Sequence, residues 1–187
     1  MAVFFTDLQD HFASHAFLEK VCTRFHYEET RMEELRAVVE EMRPLLSEEA
    51  FWESGRADAG QKIPYERVVI SLGAGVDALQ ERYADQGLLS ECYMLEALAG
   101  ELLMQSYGAY NRYVEAATDL HVARYHFPGS EDAWPVEMLP KLLDGLTKRV
   151  VCNAAYCLLP KKSVVFIAEL TKEEGVRCEG ICAGCHH

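Results

Sequence analysis

Residues 149–170 read RVVCNAAYCLLPKKSVVFIAEL and contain two apolar runs separated by a turn. The second run, SVVFIAEL (163–170), is rich in β-branched residues, which favour extended backbone. The first run, RVVCNAA (149–155), has the same character, and the proline and lysines of LLPKK (158–162) are typical of a turn. The stretch therefore predicts two strands joined by a short connection.

Further strands and helices lie upstream. RVVISLG (67–73) and HVARYHF (121–127) predict two more strands. Apolar residues at helical spacing predict helices over residues 7–25, 28–43, 74–85, 88–117 and 136–146. Pro44 is expected to close or kink the second of these helices. Strands separated by helices, several of them short, indicate an α+β fold, with the wide apolar stripe of 88–117 on a central helix.

The polar stretch ESGRADAGQKIP (53–64) predicts a loop and a boundary. We expect an N-terminal helical segment over residues 1–60, an α+β domain over residues 61–170 and a cysteine-rich tail over residues 171–187.

Composition restricts the classes of partner. The 187 residues carry a net charge of −12, which disfavours binding to a phosphate backbone, so no nucleic-acid partner is expected. The apolar runs are shorter than the roughly 20 residues of a membrane span, so no membrane association is expected. MAVFFTDLQDHF (1–12) lacks a basic region, so we expect no signal peptide and a cytoplasmic protein with reduced cysteines.

A glycine-rich turn, SLGAGVDA (71–78), follows one predicted strand and begins a helix. Gly73, Gly75 and Ala78 match a loose dinucleotide fingerprint. The fingerprint also requires a second strand and an acidic residue about 20 positions on, and a long helix follows here instead. We therefore interpret the motif as a tight strand-to-helix turn that needs small residues.

Three cysteines lie in the last ten positions, and two histidines end the chain. Cys178, Cys182 and Cys185 have the spacing C-x3-C-x2-C, close enough for one metal centre. Thiolates suit an iron–sulfur cluster or zinc, and the fourth position could be open or filled by a histidine, by Cys152 or Cys157, or by a second chain. Radical S-adenosylmethionine enzymes share this spacing, but they hold the motif early in a barrel of several hundred residues, and nothing of that kind is predicted here. A disordered tail with no metal is the remaining alternative.

An ordered set of motifs spans residues 66–170. It consists of Arg124, the Pro128-Gly129 turn, a short helix, and the sequence LPKKSV at 159–164. This set resembles the activation domain of cobalamin-dependent methionine synthase, and more closely the stand-alone activation-domain-like proteins of anaerobes. The resemblance implies a curved α+β domain with a central, mainly antiparallel sheet packed by long helices. In the synthase, this domain binds S-adenosylmethionine and docks on the cobalamin domain to support reductive methylation of cob(II)alamin.

The resemblance also implies a set of cofactor-binding residues. They are Arg124, Pro128, Gly129, Tyr156, Lys161 and Ser163, together with Gly100, Met104 and Gly108 on the long helix. Arg124 suits a carboxylate, and Lys161 with Lys162 suits an anionic corrinoid group.

Three features depart from the family, and one of them is the spacing from Arg124 to Gly129, which is one residue longer than in the synthase. Ser130 replaces the usual tyrosine after Pro-Gly, and Gly100, Met104 and Gly108 replace acidic residues on one helix face. Without a carboxylate there, binding of the S-adenosylmethionine sulfonium is in doubt, although Glu96 and Glu101 lie nearby. His121 and His126 are five apart on a predicted strand, which places them on opposite faces and excludes a chelating pair.

We therefore expect an accessory protein for reductive activation or reactivation of a corrinoid methyltransferase system. Its C-terminal cysteines would carry an iron–sulfur or other metal centre, and cobalamin would be supplied by a partner, either a cobalamin-binding corrinoid protein or a methyltransferase. The alternative is a non-catalytic module that docks on a cobalamin-binding protein and has a structural zinc in its tail.

Overall fold

A layer of helices covers one face of a four-stranded antiparallel sheet. The computed structural model describes residues 11–56, 64–173 and 175–178. The helices are α1 (His15–Phe25), α2 (Met32–Glu49), α3 (Ala74–Asp85), α4 (Leu89–Ala117) and α5 (Leu139–Leu143), with 3-10 turns at Glu29–Arg31 and Val136–Met138. The strands are β1 (Phe51–Arg56), β2 (Tyr65–Ser71), β3 (His121–His126), β4 (Val151–Cys152), β5 (Leu158–Leu159) and β6 (Ser163–Thr171). The predicted α+β fold is confirmed.

The sheet has the strand order β1-β2-β6-β3, and every neighbouring pair is antiparallel. Strand β6 lies in the interior of the sheet, where Val68 of β2 is opposite Phe166. Because side chains alternate along a strand, one face carries Phe166 and Ala168 and the other carries Val165 and Ile167. All four residues are buried, so both faces of β6 are covered.

Each face of the sheet has its own core. The larger core joins one face to α1, α2, α3 and α4, and includes Phe17, Leu35, Leu98 and Tyr110. The smaller core joins the other face to α5. The boundary expected near residue 60 lies outside the described residues, but the strands on either side of it, β1 and β2, pair from Phe51 opposite Ser71 to Arg56 opposite Glu66. The N-terminal helices therefore share a core with the rest of the domain.

Strand β3 contains a β-bulge between Val122 and Arg124. His121 is opposite Thr171 and His126 is opposite Ile167, two residues of β6 that are four apart. Directly opposed residues share a face, so both histidines project from the same face of the sheet. The predicted placement on opposite faces is wrong, because the extra residue of the bulge shifts the alternation by one.

The strand predicted over residues 149–155 is shorter than expected and lies outside the main sheet. Only Val151–Cys152 is extended, and it pairs with Leu158–Leu159 in a separate two-stranded ribbon. The side chain of Asn153 ends the strand, because its Oδ1 accepts the N–H groups of Ala155 and Cys157, both at 2.9 Å. This local turn is the kind that asparagine favours.

Two other predictions are corrected at the N-terminal end. Residues 53–56, predicted as a loop, belong to β1 and pair with β2. Helix α2 continues past Pro44 to Glu49 rather than ending there. The helix gains the buried side chains of Met42 and Leu46 on either side of the proline, and this packing offsets the lost hydrogen bond.

Among the helices of the described segments, none has the length and apolarity that crossing a bilayer requires.

Candidate functional site

The loop between β3 and α5 carries the Arg124 and Pro-Gly elements. Gly129 has a φ of +90°, and its N–H donates to the Trp134 carbonyl at 2.7 Å. The N–H of Ser130 donates to the Phe127 carbonyl at 3.0 Å, which completes a compact turn. A left-handed residue at this position favours glycine, so the Pro-Gly pair is required by the backbone of the loop.

His126 lies buried at the base of this loop between two carboxylates. Its Nδ1 is 3.2 Å from Glu131 Oε1, and its Nε2 is 3.3 Å from Glu169 Oε2. Its ring centroid lies 5.4 Å from that of Trp134, and the ring of Tyr65 is also in contact. The two ring nitrogens thus contact Glu131 of the loop and Glu169 of β6, so this arrangement joins the loop to β6. This cluster could not be predicted from the sequence, because Glu169 lies 43 positions from His126 and reaches it only through the pairing of β3 with β6.

Arg124 projects beside the same cluster. Its side chain is 63% exposed, and its guanidinium Nη2 is 3.5 Å from Glu131 Oε1. The contact is monodentate and open to solvent, so most of the guanidinium remains available to an anionic group. Burial and the nearby charge of Glu169 raise the pKa of Tyr65, which stays neutral on this face.

Tyr156, Lys161 and Ser163 lie on the ribbon and the turn into β6. Tyr156 has a φ of +58° at the ribbon turn, and Ser163 Oγ donates to Ser71 Oγ at 2.8 Å. The N–H of Lys161 donates to Asp77 Oδ2 at 2.6 Å, and its Nζ is 3.0 Å from Glu81 Oε1. The hydrogen bond to Glu81 raises the pKa of Lys161. This lysine therefore stabilises the turn, and its charge is already paired.

Lys162 is paired in the same way, with Glu96 of α4. Burial acts to raise the pKa of Glu96, but hydrogen bonds from Lys162 and Gln80 outweigh it and lower the pKa. The two turn lysines are thus tied to three carboxylates of α3 and α4. An anionic corrinoid group would have to displace these carboxylates.

The expected cofactor-binding residues do not converge on one place. Arg124 is opposite Glu169, near the end of β6, whereas Ser163 begins that strand. Six residues of extended chain separate the two positions by about 20 Å. The structure places Arg124 near the end of β6 and Ser163 at its start, with Lys161 in the turn just before Ser163. Pro128 and Gly129 lie in the loop after β3, and Tyr156 lies at the turn of the two-stranded ribbon.

The helix face with Gly100, Met104 and Gly108 lies on α4. A methyl group on Gly100 would lie 3.8 Å from Phe25 Cζ, and one on Gly108 would lie 3.6 Å from an Arg112 nitrogen. Met104 packs against the larger core.

The nearest acid on α4, Glu101, is fully buried and already bound to cations. Lys20 and Arg24 of α1 reach its carboxylate at 3.0 Å and 3.3 Å. These contacts join α1 to α4, so Glu101 is not available to a sulfonium.

The carboxylate of Glu49 binds the glycine turn that starts at Gly73. Glu49 Oε2 accepts the Gly75 N–H at 2.7 Å, at the start of α3 where a phosphate would bind in a nucleotide site. A methyl group on Gly73 would lie 2.4 Å from Glu49 Cβ. The interpretation as a tight turn that needs small residues is confirmed.

The C-terminal tail starts at a fixed position. The N–H of Cys178 donates to the Val122 carbonyl at 2.9 Å, and Asn111 Nδ2 donates to the Cys178 carbonyl at 2.8 Å. Arg177 pairs with Glu115 at 3.0 Å. Cys182 and Cys185 lie outside the described residues, and within those residues no three metal-binding side chains cluster. The described part of the tail therefore ends at Cys178, beside Val122 of β3, and Arg124 lies two residues further along that strand.

No family model matches this chain, and no curated protein is significantly similar to it.

Proposed function

We propose that this protein is an accessory protein for the reductive activation of a corrinoid methyltransferase system. The observation that carries the proposal is the position of Cys178. Its backbone is held beside Val122, two residues before the exposed Arg124 on the same strand. A metal-binding tail and an anion-binding side chain would thus lie near each other on the edge strand β3, although Cys178 packs against the larger core and Arg124 projects from the other face of the sheet.

In this proposal, Arg124 and the C-terminal cysteines have different roles. Arg124 pairs with a carboxylate or phosphate of the corrinoid partner, for which the guanidinium is suited. Cys178, Cys182 and Cys185 hold the metal centre, with glycines between them that let the backbone turn around it. An iron–sulfur cluster, when bound, would relay an electron from a low-potential donor to the cob(II) corrinoid of the partner. The cytoplasm, where thiols stay reduced, is the expected compartment.

A second candidate is a non-catalytic docking module with a structural zinc in the tail. The two hydrogen bonds that fix the Cys178 backbone favour it, because a preformed anchor suits a rigid, closed zinc site. In this case the tail would add stability but carry no electron.

S-adenosylmethionine is not part of the proposed function. The carboxylate nearest to the face of Gly100 and Met104 is Glu101, which is bound to Lys20 and Arg24. A sulfonium would have to compete with both cations for it.

Anaerobic purification with analysis of iron, zinc and acid-labile sulfide tests the proposal. The full chain should contain iron and sulfide and be brown, and Cys182→Ser with Cys185→Ser should remove both. Cys92→Ala is the matched control, because this thiol lies on α4, with Sγ 3.6 Å from the Gln80 carbonyl. A colourless protein with stoichiometric zinc would support the docking module, and a protein without metal would contradict both candidates.

A further inference from the structure

A cleft of about 600 Å³ lies between the edge strand β1 and the segment that joins α5 to β4. Two backbone features shape it. Gly55 has no side chain, so Leu146 can approach β1, and a methyl group on Gly55 would lie only 3.4 Å from Leu146 Cδ1. Arg67 Nη1 donates to the carbonyls of Leu142 at 3.2 Å and Asp144 at 2.6 Å, which fixes the end of α5.

The walls of this cleft are mainly aliphatic. They include Pro140, Leu143, Leu146, Val150 and Val151. Pockets of 300–1,000 Å³ with apolar walls and few polar groups are typical of small-molecule sites. The size therefore admits a ligand of amino-acid size.

Two side chains of opposite charge line the same cleft without meeting each other. Glu53 lies on β1 and Lys148 on the segment after α5, and among the described residues neither has an ion-pair or side-chain hydrogen-bond partner. Glu53 is half-buried, where a carboxylate gains most from a bound cation. The two charges are thus available to a ligand that carries both signs.

The other charged groups near the cleft either have partners within the chain or are exposed. Arg149 donates to the Glu49 carbonyl at 2.8 Å and stacks on the Phe51 ring at 3.7 Å. Arg67 is engaged by the carbonyl groups at the end of α5. Asp144 also lines the cleft but is exposed. Lys148 is therefore the cation for a ligand carboxylate, and Glu53 is the more buried of the two carboxylates for a ligand ammonium.

We propose that this cleft binds a small apolar zwitterion, an α-amino acid with an aliphatic side chain. Glu53 takes the ammonium, Lys148 takes the carboxylate, and the aliphatic wall takes the side chain. The site is separate from Arg124 and the tail, so the inference does not depend on the corrinoid proposal.

Calorimetric titration of the full chain with leucine, N-acetylleucine and leucinamide tests the charge pattern. Leucine should bind, and each analogue should bind at least about tenfold more weakly, because each lacks one charge-assisted hydrogen bond. Glu53→Gln and Lys148→Gln should each weaken leucine binding about tenfold, whereas the exposed, distant Lys172→Gln should not. No leucine binding at millimolar concentration, or equal binding of all three compounds, would overturn the proposal.

Thiol footprinting locates the ligand with an internal control. Cys152 lines the cleft, whereas Cys157 is exposed on the same ribbon and does not line it. Burial, with a smaller effect of Cys157, raises the pKa of Cys152, so its alkylation is slow and readily followed by mass spectrometry. Leucine should slow alkylation of Cys152 several-fold and leave Cys157 unchanged. Protection of neither thiol, or of both equally, would contradict binding in this cleft.

Discussion

The turn at Gly73 matches a functional motif in sequence, but its contact with Glu49 gives it a structural role. The sequence around Gly73 matches part of a nucleotide fingerprint. Because a long helix follows where the fingerprint needs a strand, the sequence predicts a structural turn instead. The partner of that turn could not be predicted, because Glu49 is 24 positions upstream on another helix. Its carboxylate binds the first turn of α3 and satisfies an N–H group that would otherwise be unpaired.

Gly73→Ala should destabilise the protein strongly. Gly73 has a φ of +91°, and the new methyl group would lie 2.4 Å from Glu49 Cβ. We expect the free energy of unfolding to fall by about 2 kcal/mol or more, measured by urea denaturation.

Gly87→Ala is the matched control for this change. Gly87 has a φ of +73°, but a methyl group there would meet no atom within 4 Å. It should cost only the backbone strain, about 1 kcal/mol. Equal losses for the two variants would show that contact with Glu49 does not constrain the turn.

At the scale of elements, local pattern predicted most helices and the strands with β-branched runs. Helix α4 and strands β2 and β6 lie within two residues of the predicted ranges. Strand β1 was not predicted because, of FWESGR, only Phe51 and Trp52 favour strands, and the extended form of the rest depends on pairing with β2. The bulge in β3 could not be predicted for a similar reason, because the register of a strand is set by its pairing with the neighbouring strand, here β6.

Pro44→Ala should stabilise the protein, because α2 continues through this proline. Pro44 is exposed, so little packing is lost, and alanine restores an N–H that can donate to the Glu40 carbonyl. We expect the free energy of unfolding to rise by about 1–3 kcal/mol. The gain is reduced because alanine leaves the unfolded chain with more conformational entropy than proline does. Arg43→Ala, next to it on the exposed face, should change stability by less than about 0.5 kcal/mol. A lower urea midpoint for Pro44→Ala would show that α2 needs the proline.

The contacts of helix α4 also determine the affinity that we predict for S-adenosylmethionine. Phe25 lies over Gly100, Arg112 lies beside Gly108, and Glu101 is bound to two cations of α1. Calorimetric titration should therefore show no binding in the micromolar range. Micromolar binding that disappears in Arg124→Ala, but persists in Arg112→Ala, would mean that the cofactor site of the synthase is retained near the Pro-Gly loop.

At the scale of the whole molecule, the strand order β1-β2-β6-β3 could not be derived from the sequence. Strand β6 pairs with β2, which lies about a hundred residues earlier, and with β3. Such contacts depend on packing across the whole chain rather than on local pattern. The separation of Arg124 from Ser163 follows from this order, and so does the position of Cys178 beside β3.

In the proposed function, the cysteine tail delivers an electron to the corrinoid of a partner. The most direct measurement is the rate at which a corrinoid methyltransferase subunit loaded with cob(II)alamin is reduced anaerobically, with a low-potential donor protein, in the presence of this chain. The full chain should accelerate reduction at least about tenfold over Cys182→Ser with Cys185→Ser, and Cys92→Ala should match the full chain. Equal rates for the full chain and the double serine variant would contradict the claim.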